Sequence, residues 1–150
     1  MENESFVFDI SKITEKLEAI PNSFFRADTL QEIGLFFVSK IKMRTDDGVD
    51  VNNRPFEPYS ANYAKFREAG GYETSKVDLF YSGSMMSALQ SEPLVGQKAI
   101  RLYFLNTEDK QGVSNPLKAA SLNQYRTFFD LSEEDLQGAA NILIKKFQMG

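Results

Sequence analysis

The 150-residue chain contains no cysteine and no histidine. Without cysteine there is no disulfide, no thiolate nucleophile and no cysteine metal site. Without histidine the usual general base near neutral pH is missing, and so is the commonest metal ligand. A catalytic centre would have to be built from Asp, Glu, Lys, Tyr or Ser. Tryptophan is absent as well. No apolar run reaches the roughly 18 residues of a membrane span, so none is expected. The opening MENESFVFD is acidic and has neither the basic start nor the long apolar stretch of a signal peptide, so synthesis in the cytoplasm is expected. An excess of basic charge is also lacking. With 21 acids against 17 bases the net charge is −4, which argues against a nucleic-acid-gripping protein while leaving a local basic patch open.

What is present suits a packed core. Hydrophobic residues make up 42% of the chain, with 13 phenylalanines. The length predicts one domain over residues 1–150, burying roughly 70% of the unfolded-chain surface. Phe6, Phe8 and Ile10 alternate in a short strand or pairing arm. Ile13, Leu17 and Ile20 follow at helical spacing, and Pro21 stops that helix. A second helix is predicted after Asp28 as its cap, with Leu30, Ile33, Phe37 and Ile41 as its stripe and Leu35, Phe36 and Val38 widening it. RTDDGVDVNN breaks the periodicity and reads as an exposed loop. SANYAKFREAGG reads as a helix closed by paired glycines, and a short helix or turn is expected near Ser82–Gly83. LVGQKAIRLYFLN predicts a hairpin whose second arm sets Ile100, Leu102 and Phe104 against Arg101 and Tyr103. The last helix has Ser132 as N-cap with Asp135 three residues on, acids in its first turn, Lys145–Lys146 in its last, and a stripe of Leu136, Ala140, Leu143 and Phe147. The expected class is α+β, a small antiparallel sheet packed against several helices.

Chemical motifs are sparse. Tyr72 and Lys76 have the spacing of a short-chain dehydrogenase pair, but no glycine-rich dinucleotide turn precedes them, and a polar loop explains them. Asp46, Asp47, Asp50 and Glu57 crowd one loop, yet their order misses the alternation of a calcium loop, and a solvated turn accounts for them. YSGSMMSAL is not a nucleophile elbow, and no histidine exists to activate its serines. Lys40, Lys42 and Arg44 cluster at a helix end, where they complement the dipole; phosphate contact is the alternative. No catalytic residue, metal or cofactor is assigned.

Four segments in Ile41–Phe147 carry a family resemblance. Arg44–Thr45 closes the second helix, and GVDVNNRPFEPYS follows as glycine, acid, turn, aromatic and Pro-Tyr-Ser. ANYAKFREAG then supplies a helix with Tyr63 and Arg67. VDLFYSGSMMSAL, with Leu79, Gly83 and Met85, is similar to a Leu-x-x-[Ser/Thr]-Gly-x-Met/Leu pattern. NPLKAASLNQYRTFFDLSEEDL ends the series with Arg126, Phe128 and Phe129 in the turn before the last helix. In order and spacing these segments resemble the virion morphogenesis or tail-completion proteins of tailed bacteriophages, a group similar to head–tail joining and tail-terminator proteins. Where the family often has a turn glycine, this chain has Asn53.

The resemblance implies a structural, non-enzymatic protein of the virion neck or tail end, assembled in the bacterial host cytoplasm. It implies a ring of identical subunits, six being the expected number. Partners would be other neck, portal-side or tail-tube proteins, with genome passing through the lumen unbound and no membrane involved. Residues 44–59 would form a projecting arm, with Arg44, Asp50, Phe56, Pro58, Tyr59, Tyr63 and Arg67 as interface candidates. Leu79, Gly83, Met85, Arg126, Phe128 and Phe129 would form a packing junction, one of the two phenylalanines in the core and the other facing the interior or a partner. Two other classes stay open: a small carboxylate- or Tyr72/Lys76-dependent enzyme, and a host-directed binding module.

Overall fold

A computed structural model describes residues 5–9, 26–56, 61–71, 84–94, 96, 98–109, 112–125 and 127–149. Its elements are β1 (Ser5–Asp9), α1 (Ala27–Asp46), α2 (Ala61–Ala69), α3 (Ser84–Ser87), β2 (Leu89–Leu94), β3 (Ala99–Phe104), α4 (Asn115–Tyr125) and α5 (Glu133–Met149). This is an α+β fold. The three strands form one antiparallel sheet in the order β1-β3-β2. The β2–β3 hairpin is local, with Leu94 opposite Ala99 and Leu89 opposite Phe104. β1 arrives from the start of the chain to pair Phe8 with Ile100.

Alternation in β3 decides which face of the sheet is covered. Ile100, Leu102 and Phe104 are buried, whereas Arg101 and Tyr103 are half-buried. On that second face Arg101 stacks 4.2 Å from the Tyr103 ring centroid and reaches Glu92 across the hairpin at 3.4 Å. α1 covers the apolar face. Leu30, Ile33, Phe37 and Ile41 are fully buried, and Phe8 meets Phe37 edge-on at 5.3 Å. The stripe is narrower than the apolar composition of α1 suggests, since Leu35 is 58% exposed. α1 begins at Ala27 with Arg26 at its N-cap and no side-chain cap, so Asp28 is a first-turn acid paired with Arg26 rather than the cap. The helix predicted around Ile13–Ile20 lies outside the described residues, as do Ile10 and the side chain of Phe6.

α5 runs antiparallel along α1. Glu32–Lys146, Lys40–Glu134 and Arg44–Asp135 ion pairs mark successive levels of that contact. Ala139, Ala140 and Leu143 are buried, but Phe147 in the last turn is 45% exposed and does not extend the stripe into the core.

A glycine brings α1 close to the sheet. A Cβ added at Gly34 would lie 2.7 Å from Ser91 Oγ and 2.8 Å from Ser91 Cβ. Alanine there would gain about 1 kcal/mol of helix propensity. Overpacking against β2 costs about 1–3 kcal/mol, so Gly34→Ala is expected to be neutral to destabilising and Gly34→Val clearly destabilising. Chemical denaturation of both variants checks this.

Candidate functional site

α1 ends because Gly48 turns the chain. Gly48 has φ 79°, its N–H donates to Thr45 O and the N–H of Val49 donates to Arg44 O. That is a Schellman closure, and a left-handed residue is what it requires. The next residues form a hairpin loop organised by Asp50. Its N–H donates to Arg54 O, its carbonyl accepts from Asn53 N–H, and its Oδ1 accepts from the N–H groups of Asn52 and Arg54. Val49 and Pro55 form the closing bridge, and Asn53 sits at φ 63°. This is a type I turn followed by a left-handed bulge residue.

The same device recurs after β3. Asp109 N–H donates to Val113 O, its carbonyl accepts from Gly112 N–H and its Oδ1 accepts from Val113 N–H. Glu108 and Ser114 form the bridge, and Gly112 sits at φ 78°. Lys118 on α4 pairs with Asp109, and Asn115 Nδ2 donates to Thr107 and Ser84 hydroxyls, tying this loop to α3 and α4. A Cβ at Gly112 would meet nothing within 4 Å, so its substitution costs only backbone conformation. Gly112→Ala is expected to lose about 1–2 kcal/mol, the cost of a left-handed L-residue, and Asn53→Ala less than that, because asparagine is itself an L-residue that tolerates this region. Asn53→Gly is expected to be tolerated within about 0.5 kcal/mol. Equilibrium unfolding of the three variants measures the contrast.

The Asp50 loop is fastened to the C-terminal half of the chain. Val51 N–H donates to Thr127 O at 2.9 Å. Phe128 and Phe129 N–H groups both donate to Asn123 Oδ1 at 3.1 Å, which ties the segment before α5 to α4. α5 then starts with a reciprocal box: Ser132 N–H donates to Asp135 Oδ2 at 2.9 Å and Asp135 N–H donates to Ser132 Oγ at 3.1 Å. Arg44 joins these parts. Its Nη1 donates to Asp135 Oδ2 at 2.7 Å, and its Nη2 to Asp130 O at 2.8 Å and Phe128 O at 3.4 Å. The side chains of Arg44 and Asp135 are only 10% and 2% exposed. The planar guanidinium reaches a carboxylate and two carbonyls at once, which a lysine ammonium does not match.

Between the Asp50 loop, the end of α1 and the start of α5 lies a groove of about 600 Å³. Met43, Val49, Val51 and Leu131 give it apolar wall, and Asp47, Asp130, Glu133, Glu134 and Asp135 outnumber Lys40 and Arg44 along it.

Arg44, Asp50, Phe56, Phe128 and Phe129, read from separate stretches of sequence, thus lie in or beside one region. Within the subunit they have structural roles of their own. The described part of residues 44–59 is a closed hairpin loop held to its own subunit. Phe56 is 5% exposed in the core, Asp50 organises the turn, and Arg44 is engaged within the subunit. An aromatic flanked by polar turn residues reads like a docking segment, but a hairpin this short can fold its aromatic back under the helix it follows. Phe128 and Phe129 are both buried, packing against Phe104 at centroid distances of 6.2 and 5.0 Å, so neither is left facing a partner. Met85 is core. On α2, Arg67 is buried, whereas Tyr63 and Phe66 stack at 6.1 Å on an exposed surface. Pro58, Tyr59, Leu79, Gly83 and Arg126 lie outside the described residues. Asp135, Asn123 and Asp109 carry much of the local order and were not singled out as site residues. The repeated pattern of an aspartate with Asn or Gly three residues later was the available signal for Asp109.

Among the described residues no helix is long and apolar enough to cross a membrane. Comparison with protein-family models, with curated proteins and with solved structures finds no match to this chain.

Proposed function

We propose that this protein is a structural component of a tailed-bacteriophage virion, forming a homo-oligomeric ring at the neck or tail end. Its resemblance to virion morphogenesis and tail-completion proteins supports this reading, and the α+β fold is compatible with it. One structural observation carries it furthest. Two segments of that resemblance, Gly48–Phe56 and Thr127–Asp135, are welded together by the Val51–Thr127 hydrogen bond and by Arg44, whose partner Asp135 is 91 positions away. The welded region bounds a groove and presents it on a preformed surface, the common case for building blocks that assemble by docking.

The ring would be made in the host cytoplasm and end in the virion, with other neck, portal-side or tail-tube proteins as neighbours. Native mass spectrometry of the purified chain tests the oligomer. The expected result is one closed species of six subunits. A protein that stays monomeric at concentrations far above those of ordinary assembly overturns the ring.

A further inference from the structure

We propose that the outer edge of β1 is a self-association surface, on which β1 of a second copy of this chain pairs antiparallel about a two-fold axis at Val7. The two edges of the sheet are unlike. Leu105 N–H donates to Ala88 O, and that bond sets the phase of the β2–β3 ladder. Hydrogen-bonded and non-hydrogen-bonded pairs alternate along antiparallel strands. Arg101 and Tyr103 therefore turn their backbone groups to β2, and Ile100 and Leu102 turn theirs to β1. In β2 the backbone groups of Leu89, Ser91 and Pro93 then face away from the sheet. In β1 it is those of Ser5, Val7 and Asp9.

Pro93 thus stands where a strand added to β2 would need an N–H, which proline lacks. Proline on an edge is one of the ways proteins close it to further pairing. β1 has no such device. SFVFD contains neither proline nor a basic residue, and its register against β3 runs unbroken from Ser5–Tyr103 to Asp9–Ala99. Among the described residues no strand lies on its far side. Phe8 fixes the strand from one face, buried and edge-on to Phe37, while Val7 is 54% exposed. A strand held in this way, with the Val7 N–H and C=O turned outward, is a template for one more strand.

Pro93 also decides the occupant. Joining β1 of one copy to β2 of the next would use both edges, and proline blocks the receiving one. Pairing β1 with β1 uses the open edge twice, as an isologous contact does. Centred on Val7, the two copies exchange both Val7 hydrogen bonds, and the two valine side chains meet on one face of the joined sheet. The Asp9 positions then fall at opposite ends of the pair, about 14 Å apart over four residues of strand. Centring on Asp9 instead would set two carboxylates face to face, which is destabilising. The inference goes beyond the ring reading and does not depend on it: six subunits would be three such pairs.

The test exploits the absence of cysteine from the full chain. Val7→Cys carries a single thiol, and in the two-fold pair the two Cα atoms stand about 5.5 Å apart, within disulfide reach. Oxidation with copper phenanthroline is expected to give about tenfold more covalent dimer than the same treatment of Glu68→Cys, on α2 and outside the pair. Native mass spectrometry is the second readout. Val7→Pro removes the outward N–H and leaves the ladder to β3 intact, so it is expected to give a smaller species than the wild type, with circular dichroism checking the fold. A wild type that stays monomeric overturns the pairing, as does a Val7 thiol that cross-links no better than the control. A six-subunit wild type with no Val7 cross-link and no change in Val7→Pro overturns the pairing while leaving the ring standing. Val7 cross-linked pairs without any larger species defeat the ring and leave the pairing standing.

Discussion

Asp135→Ala is expected to cost the fold about 3–5 kcal/mol, because it leaves the buried Arg44 guanidinium without a counter-charge. Asp135 is 2% exposed at its side chain, and its Oδ2 accepts from both Arg44 Nη1 and the Ser132 N–H. The same substitution therefore also loosens the start of α5. Asp135→Asn keeps an oxygen for the Ser132 N–H and should lose less. The decisive comparison is a cycle with Arg44→Met. Arg44→Met alone leaves a buried carboxylate and should be severely destabilising. Arg44→Met with Asp135→Leu removes both charges and should recover a substantial part of the loss. Urea denaturation of the four proteins gives the coupling. Additive losses would mean that the pair is solvated and that Arg44 does not hold the junction.

Phe128→Ala is the second large effect, at about 3–5 kcal/mol. Its ring is fully buried and packs edge-on against Phe104, with Phe129 at 6.3 Å. Phe129→Ala should be of similar size, since it is 3% exposed and lies 5.0 Å from Phe104. Phe147→Ala is the internal control: at 45% exposure it should cost clearly less, about 1–2 kcal/mol. Melting temperatures that rank the three variants alike would contradict the packing of this turn.

The parts of the fold written in local periodicity were legible in the sequence. The Leu30–Ile41 stripe, the β3 alternation and the Ser132–Asp135 box each need only a few neighbouring residues to specify them, and each is present. What failed was what depends on distant packing. Leu35 and Phe147 continue apolar patterns but stay 58% and 45% exposed, outside the buried core. Nothing near Arg44 indicates that its partner is Asp135, and the helix-end cation could equally have served the dipole alone. The conformation of the Asp50 loop does not follow from its composition. Its aromatic and acids suggested an arm, whereas Asp50 with a left-handed Asn53 already spelled a closed turn, the same one that Asp109 and Gly112 build. A groove that exists only where residues 40–53 meet 130–135 has no local signature at all.

Placement in the virion is the central claim, and loss of the protein tests it most directly. The reading frame would be deleted from the genome that carries it, with the protein supplied from a plasmid as the complemented control, and the resulting particles imaged by electron microscopy. The predicted result is filled heads and separate or misfinished tails, restored to joined virions by the complementing protein. Intact, infectious virions from the deleted genome would contradict the account.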